Sequence, residues 1–187
     1  MPSDVTMIPA WVDGTLRPMP KLETHERGLR HKAISVFVLR GDAMLLQRRA
    51  AGKYHTPNLW ANTCCTHPHW EEPSERCATR RLREELGITG LLLEGRGTLE
   101  YRAEVGGGLI EHEVVDLFVG LAGPDLALAP DPGEVRDHRW LELDALAAEI
   151  AAQPERFTPW LRIYMAEHRD RIRGGGMPTD PVTYGDG

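Results

Sequence analysis

The chain has 187 residues, 41% hydrophobic and 27% charged, with a formal net charge of -6 and a pI near 5.8. That length suits one domain with a real core. The acidic balance speaks against a general nucleic-acid binder, and no apolar run approaches the ~20 residues that span a bilayer.

Residues Met1 to Pro9 lack the basic-then-apolar layout of a signal peptide and read as a flexible leader, with the domain running from 10 to 173. Ala10 to Asp13 suggests a short strand turned by Asp13-Gly14. Lys21 to His31 is polar and reads as a loop with a helical turn, broken at Gly28. Ala33 to Leu39 is almost wholly apolar and β-branched, which fits a strand buried on both faces. Arg40-Gly41-Asp42 turns the chain into a second strand, Ala43 to Arg48. Tyr54 to Leu59 is loop.

Asn62-Thr63-Cys64-Cys65-Thr66-His67-Pro68 follows, and in an extended segment Cys65 and His67 share a face while Cys64 points the other way. With Cys77 there are three cysteines, a poor disulfide framework that implies a reducing, cytoplasmic setting. Pro73 and Ser74 start a helix, Ala78, Leu82 and Leu86 recur every four residues on its core face, and Gly87 stops it. Arg80 can meet Glu84, and Arg81 can meet Glu85. Gly97 to Val105 and Leu109 to Val119 read as a hairpin about Gly106-Gly107-Gly108. His138 to Leu143 reads as a strand, then comes a short helix capped by Asp144 and ended by Pro154. Thr158 and Pro159 cap a last helix to about Ile172, and residues 174–187 are Gly- and Pro-rich, as in a disordered tail. Strands first and helices last imply an α+β layered domain.

Glu111 and Glu113 share a strand face with Val115, Leu117 and Val119, so that face should point inward. Buried carboxylates are costly unless paired, protonated or metal-bound; the alternative is a solvated strand end. With His25, His31 and His67 they make a mixed nitrogen and oxygen set suited to zinc, manganese or iron. His55, His69, His112, His138 and His168 read as surface or core filler. A neighbouring histidine and metal would alter the acidity of Cys65. Lys21, Arg49, Lys53 and Arg81 could form an anion pocket for a small phosphate ester.

The signature G-x5-E-x7-R-E-U-x-E-E-x-G-U of the Nudix superfamily is matched by Glu72, Arg80, Leu82, Glu84, Glu85, Gly87 and Ile88. Thr66 stands at the first glycine, and Arg81 replaces a glutamate with which Nudix hydrolases bind metal. Those departures, with Gly28 to Ala33, Leu46 to Ala50, Lys53 to Pro57, Leu59 to Pro68, Tyr101 to Ala103, Glu111 to Val114 and Thr158 to Trp160, resemble the type I isopentenyl-diphosphate isomerases from about Trp11 to Arg169. The resemblance implies an α+β Nudix-like fold, a mixed central sheet layered between helices, and a small-molecule diphosphate substrate. It implies one manganese or zinc ion on His25, His31, His67, Glu111 and Glu113. Cys65 and Glu113 would be the proton-transfer pair on opposite faces of the substrate, with Tyr101 hydrogen-bonded near Glu113. Glu85 and the Cys65 backbone carbonyl would place a magnesium carrying the diphosphate. Lys21, Arg49, Lys53 and Arg81 would grip its oxygens, and Trp160 and Trp60 would face the hydrocarbon. No nucleic acid or membrane partner is implied, and a monomer or weak homodimer is expected. A Nudix hydrolase of a diphosphate ester is the alternative, and a non-catalytic metal-binding module the third reading.

Overall fold

The computed structural model describes residues 5–173; the tail 174–187 and the first four residues lie outside the described residues. Its centre is β1 (Arg30–Arg40), in which Ile34, Val36, Phe37 and Val38 are fully buried, as the unbroken apolar run predicts. Its long partner is β2 (Leu109–Leu121), which runs parallel to it from Arg30↔His112 to Leu39↔Leu121. β3 (Leu93–Gly106) pairs antiparallel with β2 through a turn in which Gly106, Gly107 and Gly108 all take positive φ.

The other edge of β1 is shared by three strands. β4 (Met7–Val12) meets it at Ala10↔His31, β5 (Cys64–Thr66) at Ile34 to Val36, and β6 (Ala43–Arg49) at Leu39 and Arg40. β6 carries β7 (Trp60–Ala61) and β8 (Val135–Glu142), and β9 (Thr15–Pro20) lies outside β4. The sheet is thus mixed.

Helices cover both faces. α1 (Ser74–Leu86) packs over Ile34, Val36, Leu45 and Cys64, with Ala78, Leu82 and Leu86 buried as their spacing predicts. α2 (Leu143–Ala152), α3 (Pro159–Glu167) and α4 (Arg169–Arg173) cover Phe37, Val115 and Leu117 on the opposite face. Gly87 caps α1 at φ 67°, and a Cβ there would meet that of Ala129 at 2.7 Å, so glycine is required twice over. The arrangement is an α+β domain with its sheet between helices.

Several boundaries differ from the expected ones. The leader is shorter than nine residues, because Met7 to Pro9 belong to β4 and Ile8 is fully buried. β9 contains Pro18 and Pro20 and lies at the sheet edge, where missing N–H donors are tolerated; those prolines hide it from pattern reading. The helical turn expected after Lys21 is a six-residue helix, α5 (Lys21–Glu26). Pro73, not Ser74, is the cap of α1, and the Ser74 hydroxyl bonds Asp116 instead. β8 starts at Val135, ahead of His138, and Asp144 lies inside α2, where it pairs with Arg169 and Arg173. The last helix breaks at His168, whose φ of -129° leaves helical backbone.

Candidate active site

One face of the sheet carries the chemistry. Because strand side chains alternate, His31 and Ser35 of β1 lie on the face opposite Ile34 and Val36. The registers His31↔Glu113, Ser35↔Cys65 and Tyr101↔Glu113 bring the groups of four strands side by side. Glu111 and Glu113 are 3% and 6% exposed, which excludes the solvated alternative. The Tyr101 hydroxyl is 2.8 Å from Glu111 Oε2 and 2.8 Å from Glu113 Oε2. A phenol has one proton, so it donates to one carboxylate and accepts from the other only if that one is protonated. Burial and the Glu113 charge push Glu111 well above the usual carboxylate range. Burial opposes the charge on Glu113 too, but His31 and His67 outweigh it and hold Glu113 well below that range.

Two of the three imidazoles are oriented by the backbone, whereas His67 Nδ1 is buried with no hydrogen-bond partner. His25 Nδ1 donates to Lys21 O at 2.7 Å, which leaves its Nε2 lone pair pointing inward, and His31 Nδ1 donates to Leu29 O at 2.7 Å. His31 Nε2 lies 3.2 Å from His67 Nε2, and His67 Nε2 lies 2.9 Å from Glu113 Oε1. Such separations suit adjacent ligands of one ion bound at ~2.0–2.2 Å. His25 Nε2 is buried with no hydrogen-bond partner, an orphan that a cation would satisfy. Burial lowers His25 to about 4 and pushes His67 well down, so both stay neutral, the form that ligates. The buried cluster His25, His31, His67 and Glu113 is therefore compatible with a divalent metal.

Glu111 lies beside this cluster, joined to Glu113 through the Tyr101 hydroxyl, and its carboxylate also lies near donor atoms of His25 and His55. His55, expected as surface or core filler, is 6% exposed and lines the pocket.

Cys65 faces the pocket while Cys64 is sealed in the core beneath α1, as alternation predicts. The Cys65 thiol donates to Asn62 Oδ1 at 3.0 Å and lies 2.9 Å from Ser35 Oγ, which reaches Tyr164 OH at 2.8 Å. Burial pushes this thiol up despite those hydrogen bonds, so it is held protonated. Ser35, Asn62 and Tyr164 were given no role from sequence; a lone hydroxyl in the apolar run Ala33 to Leu39 was the available signal.

Lys21, Arg49, Lys53, Arg81 and Glu85 line the same pocket as Cys65, Glu111 and Glu113. Burial first, then the charges of Arg49 and Arg81, lowers Lys21 to about 8; burial lowers Lys53 to about 8. Glu85 Oε1 accepts from Arg81 at 2.5 Å and Oε2 from Gln47 at 2.8 Å. Glu134, missed in sequence because it lies in a distant loop, pairs with Lys53 and, at 3.4 Å, with Arg81. Trp160 lines the pocket beneath Arg49, whose guanidinium lies 5.2 Å from its ring. Trp60 does not line it: the ring is 6% exposed, set in the core under Arg139 at 4.5 Å, because β7 directs it there.

The family model described as the NUDIX domain matches residues 29–161, and the chain belongs to that family. The MutT NUDIX hydrolase of Burkholderia pseudomallei shares the fold, with a TM-score of 0.58 at 21% identity over 74% of this chain and 98% of that one. Within the family the chain falls among the isopentenyl-diphosphate Delta-isomerases. A relative of that name from Cereibacter sphaeroides (strain ATCC 17025 / ATH 2.4.3) is 67% identical over 90% of this chain and 95% of its own. Another, from Dinoroseobacter shibae, is 63% identical over 90% of this chain and 96% of its own.

Proposed function

We propose that this chain interconverts isopentenyl diphosphate and dimethylallyl diphosphate by adding a proton at one carbon and removing one at the other end of the allylic system. The observation that carries this reading is that Cys65 and Glu113 open on one pocket whose lining also holds Lys21, Arg49, Lys53 and Arg81. Cys65, kept protonated by burial and with its sulfur held in place by Asn62, is suited to act as the acid. Glu113, held ionised, is suited to act as the base, with Tyr101 positioning its carboxylate. An unactivated alkene is a weak base, so protonation leaves a tertiary cation that the Trp160 face can stabilise. Exclusion of water from the pocket once substrate fills it would protect that cation. The basic side chains hold the diphosphate, which supplies binding energy away from the reacting carbons.

His25, His31, His67 and Glu113, with Glu111 beside them, would hold manganese or zinc, which fits neutral imidazoles and carboxylates. A bound ion supplies positive charge that fixes the Glu113 carboxylate and tunes its proton affinity. Magnesium belongs with the substrate, and Glu85 and the Cys65 carbonyl are suited to receive it. The free cysteines Cys64, Cys65 and Cys77 support a cytoplasmic setting, and no helix among the described residues is long and apolar enough to cross a membrane.

The test is incubation of the pure protein with isopentenyl diphosphate and magnesium, followed by product analysis. Dimethylallyl diphosphate is expected. Release of phosphate or a monophosphate without it would overturn the reading in favour of a hydrolase; Arg81, bound to Glu84 and Glu85, offers no carboxylate for that chemistry.

A further inference from the structure

One turnover of the proposed reaction moves a negative charge across the pocket. Cys65 gives a proton to one carbon and Glu113 takes one from another, so the charge leaves the carboxylate and arrives on sulfur. The carboxylate is well provided for, with His67 Nε2 at 2.9 Å and His31 Nε2 at 3.6 Å from Oε1. The sulfur has two hydrogen-bond partners among the described residues, Asn62 Oδ1 at 3.0 Å and Ser35 Oγ at 2.9 Å. Asn62 presents only its oxygen, because its amide nitrogen is bound to Val36 O and Cys64 O. Ser35 alone can donate to a charged sulfur.

Ser35 has one proton and two neighbours, since its Oγ also lies 2.8 Å from Tyr164 OH. Ser35 and Tyr164 are 1% and 0% exposed, and neither lines the pocket. Ser35 is the only hydrogen-bond partner of the Tyr164 hydroxyl among the described residues. Were the phenol to accept from Ser35, its own proton would be buried without an acceptor. It therefore donates to Ser35, which leaves the serine proton for sulfur. The two hydroxyls act in series, from Tyr164 through Ser35 to Cys65. The Tyr164 ring is held by Phe37 and Tyr101, which meet it edge-on with centroids 5.4 and 6.0 Å away. Trp160 and Tyr164 are four residues apart on α3, so one helix face supplies both the ring that lines the pocket and the hydroxyl behind Ser35.

We propose that Ser35 and Tyr164 are positioning residues that hold the charge left on Cys65 when its proton passes to the substrate. This rests on reading Cys65 as the acid of the isomerisation. The S–H bond breaks with its electron pair staying on sulfur, and the alkene π pair forms the new C–H bond. Ser35 then donates to the thiolate, and Tyr164, donating to Ser35, polarises that hydroxyl further. The chain of hydroxyls ends at a fully buried phenol, so it supplies no replacement proton, and the thiol is restored from the pocket side.

The test compares Ser35→Ala, Tyr164→Phe and the double variant with wild type, as full-length protein with isopentenyl diphosphate and magnesium. Ser35→Ala should lower kcat about 10- to 10²-fold, the scale of one hydrogen bond to a charged group, with KM within about twofold. Tyr164→Phe keeps the ring and should lower kcat about threefold, again at unchanged KM. In the Ser35→Ala background Tyr164→Phe should cost nothing further, because it acts only through Ser35. Circular dichroism reports whether each variant is folded, and Tyr164→Phe, which loses a single oxygen, decides the matter should Ser35→Ala not fold. The proposal is overturned if either folded single variant keeps the wild-type kcat, or if KM rises while kcat stays. It is also overturned if Tyr164→Phe costs as much in the Ser35→Ala background as alone, which would leave Tyr164 a packing role. Wild-type protein that forms no dimethylallyl diphosphate would instead overturn the isomerase reading, and this role with it.

Discussion

Cys65 Sγ lies 3.0 Å from Asn62 Oδ1, and Asn62 can offer it only an acceptor. The amide nitrogen of Asn62 is committed to Val36 O at 3.0 Å and Cys64 O at 3.3 Å, so the side chain cannot flip without losing both. The position of the Cys65 sulfur is therefore fixed, through Asn62, by the backbone of β1 and β5. Cys65→Ala and Glu113→Gln should each lower turnover at least ~10²-fold, the scale for loss of an acid–base group. Asn62→Leu should lower kcat about tenfold with KM within about twofold, since the diphosphate grip is untouched. Steady-state kinetics on the three variants checks this, and a near-normal rate removes the residue concerned from its role.

Lys21 and Lys53, lowered to about 8, set an alkaline limit. Both are charged below that value and lose their protons as pH rises through it. Diphosphate binding needs the charged forms, so kcat/KM should fall above about pH 8 while remaining flat just below. Lys53→Arg keeps its charge and should make the fall shallower, since Lys21 still loses its proton at about 8. A profile still flat at pH 10 would show that these lysines do not hold the substrate.

Glu134 competes with the substrate for cations. Its carboxylate pairs with Lys53 and Arg81, both part-exposed, so the interaction is worth at most about 1 kcal/mol. Glu134→Gln should lower KM for isopentenyl diphosphate about two- to fivefold with kcat unchanged. A raised KM would mean that Glu134 holds the cations in position instead.

Glu72 and Arg80 form a two-pronged pair at 2.6 and 2.7 Å, and the Arg80 hydrogen bonds lower Glu72 to about 2. The carboxylate is favoured in the fold, so its stabilisation is present above about pH 4.5 and is lost as pH falls through about 2. Allowing for the partly open surroundings, Glu72→Gln should cost about 1–2 kcal/mol at pH 7. Urea denaturation should show that difference shrinking at pH 3; a constant difference would place the effect elsewhere.

Much of this was legible in the residues because two periodicities carried it. The two-residue spacing placed Glu111 with Glu113 and set Cys65 apart from Cys64; the four-residue spacing of Ala78, Leu82 and Leu86 gave α1 its buried face. His55 and Glu134 had no such signal. Each lies outside the regular elements and gains its role only from partners brought close by folding, Glu111 for one and Lys53 for the other. Trp60 shows the converse: a large aromatic near the reactive stretch suggested a substrate wall, but pairing with β6 turns it into the core.

The parallel alignment of β1 with β2 pairs His31 with Glu113 and carries that phase through Leu39↔Leu121. A single inserted or deleted residue anywhere between Glu111 and Leu121 would invert every following side chain, setting oily groups in water or acids in oil. Length changes among descendants of this chain should therefore gather at the Gly106–Gly108 hairpin, and the two paired strands should evolve by exchange of residues alone.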